Sequence, residues 1–221
     1  LSFLISALAL PFYAEILKVQ DSESLFKHTA ISIWLLSALV APIVFGVPFV
    51  DDQVIALIFS SDQQAGNRLL TLLALSMVGN ILLAVYGLQI LMSKSRPWPV
   101  VGGAIVALAT LVVVASLAKA SLGLQGLAIS MVIAKLVFGV VCAQYARSEL
   151  PRWPWRPLLT PMFAGAAMAL GLYLLPLQSL FAYLAAGALL YVIALVAINY
   201  RELREILQHP KFARLRLWNR P

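Results

Sequence analysis

Apolar residues run along this chain in long unbroken blocks, without the alternation of polar and apolar positions that a water-facing domain needs, and charge falls mostly between the blocks. A bilayer core of about 30 Å requires roughly 20 apolar residues as helix, so each charge-free block of that size is a candidate membrane span. Residues 29–50, 69–93 and 97–118 are such blocks, and Ala120 to Ala146 is a fourth, interrupted only by Lys135. Residues 157–200 hold no Asp, Glu, Lys or Arg and are long enough for two spans joined at the short polar break of Pro176, Gln178 and Ser179. Together with the apolar stretch Leu1 to Leu17, the pattern predicts seven transmembrane helices in an all-α, polytopic helical membrane protein.

Residues 1–200 would form the helical bundle. Residues 201–221 mix Arg and Lys with Leu, Ile, Phe and Trp, which suits a basic amphipathic tail on a membrane surface. Between Phe49 and Gly66, the segment DDQVIALIFSSDQQAG has an apolar run too short to span, and it reads as a loop with an interfacial turn. Trp98, Trp153, Trp155 and Trp218 flank the blocks, where indole rings anchor at the membrane interface. The chain opens on Leu1 inside an apolar stretch, without the charged region and small-residue cleavage site of a signal peptide. It is therefore expected to be a fragment whose beginning is missing.

Composition agrees with the pattern. Of 221 residues, 62% are hydrophobic and 11% charged, against about 25% charged in soluble domains. The formal charge is +7, and in so apolar a chain that excess points to membrane lipids or an anionic lipid-linked substrate, with no nucleic-acid partner expected. The single cysteine, Cys142, excludes an internal disulfide framework and a cysteine-based zinc site, and His28 and His209 form no metal-ligand motif. No cofactor or metal is expected.

Placement of the basic residues predicts orientation. One set of alternate connections holds Lys18, Lys27, Lys94, Arg96, Arg147, Arg152, Arg156 and the six cations of the tail, 13 of the 16 in all. The opposite set holds Arg68 and Lys119, and Lys135 lies within a span. By the positive-inside rule the C-terminus is cytoplasmic, the acidic loop with Asp51, Asp52 and Asp62 faces outward, and the first helix runs from outside to inside.

The chain lacks a GxxxxGK[ST] phosphate loop, an HExxH metal motif, a GxSxG nucleophile elbow and a GxGxxG turn. Asp51 and Asp52 invite comparison with the external-loop acids of membrane glycosyltransferases or polymerases; the plainer reading is a solvated loop.

Lys135 is the exceptional polar position. A mid-span charge costs about 3 kcal/mol on insertion scales, so it should face protein or a water-filled cavity, where it binds an anionic headgroup or couples to an ion; the structural alternatives are a buried ion pair or snorkelling of the long side chain. Ala128, Ala134, Gly139 and Cys142 around it are small enough for a neighbouring helix to approach. Asn80 and Gln89, nine residues apart in one span, fall on opposite helical faces. Ser76, Gly79, Asn80, Ala84 and Gly87 form a small-residue stripe suited to helix packing. Arg68 opens that span at the outer interface as an anchor or phosphate contact, and Glu15 near Lys18 reads as interfacial. Pro11, Pro42, Pro48, Pro157 and Pro161 lie within or at the ends of spans, where neighbours must satisfy the freed carbonyls.

LPFYAEI stands at a helix end, VIALIF before the outer loop, a basic turn from Lys94 to Arg96, and LGLQGLA from Leu122 to Ala128 between two helices. In that order, with the last segment similar to a GxxGxA turn, the chain from about Pro11 to Arg147 resembles the second half of the polysaccharide (O-antigen) flippases of the multidrug/oligosaccharidyl-lipid/polysaccharide exporter superfamily. The resemblance implies a fourteen-helix, two-lobed transporter of which these seven helices are the second lobe.

It further implies movement of undecaprenyl-pyrophosphate-linked oligosaccharide or polysaccharide repeat units across a bacterial inner membrane by alternating access, in O-antigen or lipopolysaccharide biosynthesis, alongside polysaccharide assembly proteins. Cations would replace the water lost by the pyrophosphate, which makes Lys135 the leading substrate-binding candidate, followed by Arg68 and Asn80. The rivals are a cation-coupled multidrug exporter, a peptidoglycan-precursor flippase, a membrane glycosyltransferase and a non-transporting scaffold.

Overall fold

The computed structural model describes residues 21–58, 69–175 and 179–208. Among the described residues no strand occurs, and six helices are long and apolar enough to cross a membrane. They are α1 (Ser22–Ile58), α2 (Leu69–Leu91), α3 (Trp98–Lys119), α4 (Leu122–Glu149), α5 (Trp155–Leu174) and α6 (Leu180–Gln208). The chain is an all-α polytopic membrane protein, and each helix matches one of the predicted blocks. The predicted first span, Leu1 to Leu17, lies outside the described residues, as do Glu15, Lys18, Pro176, Gln178 and residues 209–221. Residues 201–208, assigned to the tail by sequence, prolong the helix of the last span.

Local chemistry sets the helix limits. At the start of α1 the Asp21 carboxylate accepts a hydrogen bond from the Ser24 amide at 3.0 Å while its carbonyl accepts from Leu25 at 3.0 Å, an N-cap geometry. Between α3 and α4 the chain reverses at Gly123, whose φ of +53° suits glycine. A Cβ on Gly126 would stand 2.7 Å from the Ala118 carbonyl oxygen, so this turn closes only with a hydrogen there. The glycine turn read from LGLQGLA is therefore present.

The Asp51 region departs from the expectation of a loop: α1 continues through it as helix to Ile58. Asp51 is 4% exposed, and its Oδ2 accepts from the Thr71 amide at 3.1 Å and the Thr71 hydroxyl at 2.7 Å. Thr71 lies in the first turn of α2, where backbone amides lack intrahelical partners and attract a carboxylate. Asp52, the next residue, is exposed. Read as solvated loop residues, the two acids instead divide between an inter-helix cap and the surface.

α1 is the hub, packing on α2, α5 and α6, while α2 packs on α4 and α5 on α6. One core cluster joins Ile33, Leu36 and Val40 of α1 with Tyr86 and Ile90 of α2 and Cys142 and Ala146 of α4. A second joins Ala41 of α1, Ala164 and Met168 of α5 and Tyr191 of α6. α3 and α6 turn large apolar side chains outward, among them Ile105, Leu108, Leu117, Phe181 and Leu189, as suits helices bathed in lipid.

Candidate functional site

Lys135 sits near the middle of α4 at a backbone-to-backbone crossing with α2. A Cβ on Gly79 would stand 2.7 Å from the Lys135 carbonyl carbon, and one on Gly139 would stand 2.6 Å from Leu82 Cβ and 3.1 Å from the Gly79 oxygen. Farther along, Gly87 faces Cys142, whose sulfur would lie 3.3 Å from an added Cβ. The two small-residue stripes read from sequence are thus the two sides of one interface, and close backbone approach is their role.

This packing brings the half-buried Lys135 ammonium to 3.4 Å from the Ser76 hydroxyl oxygen. Ser76 is buried and donates its own hydrogen to the Leu73 carbonyl at 2.7 Å, so toward Lys135 it presents a lone pair. Among the described residues no carboxylate stands within ion-pair distance of Lys135. A cation held at mid-span by one neutral acceptor suits an incoming anion, because an added phosphate oxygen would gain a charge-assisted hydrogen bond without displacing a carboxylate.

Asn80 lies one helical turn beyond Ser76 on the same side of α2 and is half-buried. Arg68 lies outside the described residues. Ser76 itself was read from sequence only as a packing residue; its place one turn before Asn80 in a stripe facing the lysine-bearing helix is the signal that points to it.

Gln89 is fully buried in Leu83–Leu91, where α2 widens to a π-helix and the Met92 amide donates to the Gly87 carbonyl five residues back at 3.2 Å. The 3.6-residue period used to set Asn80 and Gln89 on opposite faces consequently holds only as far as Leu82.

Among the described residues, the basic connections after α2 and before α5 gather at one end of the bundle. Arg96, after α2, pairs with Glu149 at the end of α4 at 2.8 Å, and Arg152, before α5, pairs with Glu23 at the start of α1 at 3.4 Å. Asp51 and Thr71 mark the opposite end. Among the described residues, Arg96 and Arg152, which the sequence places in the same set of connections, thus stand at the same end of the bundle. No protein-family model matches the chain, and no match to it is found among curated proteins.

Proposed function

We propose that the protein is a flippase, moving an undecaprenyl-pyrophosphate-linked oligosaccharide or repeat unit from the cytoplasmic to the outer face of a bacterial inner membrane by alternating access. The observation that supports this reading is Lys135, a mid-span cation whose ammonium meets the Ser76 hydroxyl instead of a carboxylate. A pyrophosphate crossing the bilayer must exchange water for protein donors, and a lysine at that depth supplies them at the point of highest cost. Asn80 extends the polar face by one turn, and Arg68 would meet phosphate at the outer interface. With basic connections at the cytoplasmic end, the C-terminus is cytoplasmic.

The exporter reading that relies on mid-membrane acids has less support, because Asp51 at the far end is engaged in capping α2. The same engagement weighs against Asp51 as a glycosyl-transfer catalyst. The test is reconstitution of the full-length protein in liposomes with a fluorescent lipid-linked oligosaccharide on one leaflet. Protein-dependent transfer to the other leaflet, without change in the glycan, is expected; transfer no faster than in protein-free liposomes, or a glycan lengthened or released, would refute the reading.

A further inference from the structure

The basic end holds a cavity of about 890 Å³ between the start of α1 and the segment leading into α5, far along α1 from the Asp51 end. Its cations are Lys27, Arg152 and Arg156, and its aromatic walls are Trp34, Trp153 and Trp155. Lys27 and Arg156 are exposed at the mouth, whereas Trp34 is buried. Seven residues of α1 separate Lys27 from Trp34, which places the indole about 10 Å deeper along the helix. The cavity thus runs from a cationic rim, at the level where the helices enter the membrane, to an apolar floor.

Its walls are fixed before any ligand arrives. Trp153 stacks on the buried Tyr86 ring at 5.2 Å between centroids and meets Trp155 at 5.3 Å. Arg152 is held over the Phe26 ring at 4.5 Å and against Glu23 at 3.4 Å. His28 donates from Nδ1 to the Ser24 carbonyl at 2.9 Å, which fixes its ring beside the rim. Glu23 offsets part of the Arg152 charge and the Asp21 carboxylate acts on Lys27 from beyond ion-pair distance, while Arg156 has no carboxylate at ion-pair distance among the described residues.

From this arrangement we infer that the cavity is a binding site for a phosphate headgroup attached to a lipid chain, specifically an anionic phospholipid of the surrounding leaflet. Phosphate oxygens meet Lys27, Arg152 and Arg156, and the first part of an acyl chain lies along Trp34 and Trp153. The apolar depth favours a lipid over free phosphate, which gains nothing from the indole floor; basic pockets between helices take anionic headgroups on the same physical grounds. The inference stands independently of transport, since it concerns a different cavity and a resident lipid.

The test is native mass spectrometry of the full-length protein from micelles doped with equal amounts of phosphatidylglycerol and phosphatidylcholine, with inorganic phosphate as a separate arm. Preferential phosphatidylglycerol adducts are expected, with affinity falling about fivefold for each cation removed in Lys27→Gln and Arg156→Gln, and phosphatidylcholine retention unchanged. Both positions are exposed, and unchanged melting of each variant confirms that the fold is kept; should one variant fail to fold, the other carries the same test. Equal retention of the two lipids, or an unaltered preference in the variants, would overturn the assignment. So would displacement of phosphatidylglycerol by millimolar inorganic phosphate, which would identify a free-phosphate site.

Discussion

The Tyr191 hydroxyl of α6 donates a 2.6 Å hydrogen bond to the backbone carbonyl of Ala38 in α1. Ala38 lies four residues before Pro42, so its carbonyl is the one that the missing proline N–H leaves without an intrahelical donor. Tyr191 supplies that donor from another helix, and its ring is itself buried in the cluster with Ala41 and Met168. In hydrocarbon an unmet carbonyl is costly, so the proline and the tyrosine form one unit. Tyr191→Phe should lower stability by about 1 kcal/mol. In a Pro42→Ala background, where the helix regains its own donor, the same change should cost distinctly less. Thermal unfolding of the four proteins of this cycle measures the coupling; equal costs in both backgrounds would dissociate the two residues.

Asp51 gives a second prediction. Because its Oδ2 takes two hydrogen bonds from Thr71, Asp51→Ala should cost about 1–2 kcal/mol, with hydrogen exchange rising in the first turn of α2. Asp51→Asn retains an acceptor and should cost less, and Asp52→Ala, at an exposed position, should change stability by less than about 0.5 kcal/mol. A denaturation series that ranks Asp52 above Asp51 would contradict the capping role.

At the crossing of α2 and α4, Gly79→Val and Gly139→Val must drive two backbones apart, since an added Cβ already approaches within 2.7 Å and 2.6 Å of the facing helix. Each should destabilise by about 1–3 kcal/mol, the usual cost of overpacking. Gly102→Ala on α3, where an added Cβ meets nothing within 4 Å, is the control and should be tolerated. Melting temperatures in detergent distinguish the two classes.

The Asp21 cap makes a prediction about pH. Hydrogen bonds from Ser24, the backbone amide foremost, hold this carboxyl below the ordinary aspartate value, with the Glu23 amide and the Lys27 charge adding to the effect. A carboxyl lowered on folding contributes its full stabilisation above the unfolded value, about 4, and loses it as pH falls through the lowered value. Protection of the Ser24 and Leu25 amides, taken relative to the unfolded-chain exchange rate at each pH, should therefore fall in acid below about pH 4, and Asp21→Asn should remove most of that dependence. Protection that does not change with pH in the native protein would rule out a titrating cap at Asp21.

Much of this architecture was legible in the sequence because one-dimensional pattern and membrane physics determine it. Charge-free blocks gave the six described spans, the stripes of small residues around Gly79 and Lys135 gave surfaces suited to close helix approach, and the turn at Gly123 and Gly126 was expected from the family resemblance, its positive φ and close approach being the physical reason for glycine there. Asp51 was misread because a carboxylate in sequence looks solvated, whereas here the first turn of α2, 20 residues away, buries it. The Ser76 contact to Lys135 and the Tyr191 contact to Ala38 link positions 59 and 153 residues apart, and no local pattern encodes such pairings. Lys27, Arg152 and Arg156 were counted as markers of membrane side, and only their convergence on Trp34 and Trp153 distinguishes them from ordinary interfacial cations.

The central claim is that Lys135 receives the anionic group of the cargo, and the most direct measurement is lipid-linked oligosaccharide translocation in proteoliposomes by Lys135→Gln and Lys135→Arg beside the native protein. Lys135→Gln should reduce the initial rate about 10- to 100-fold, the worth of one charged hydrogen bond, while Lys135→Arg keeps most of it and both variants melt like the native protein. Native rates in a well-folded Lys135→Gln would contradict the account.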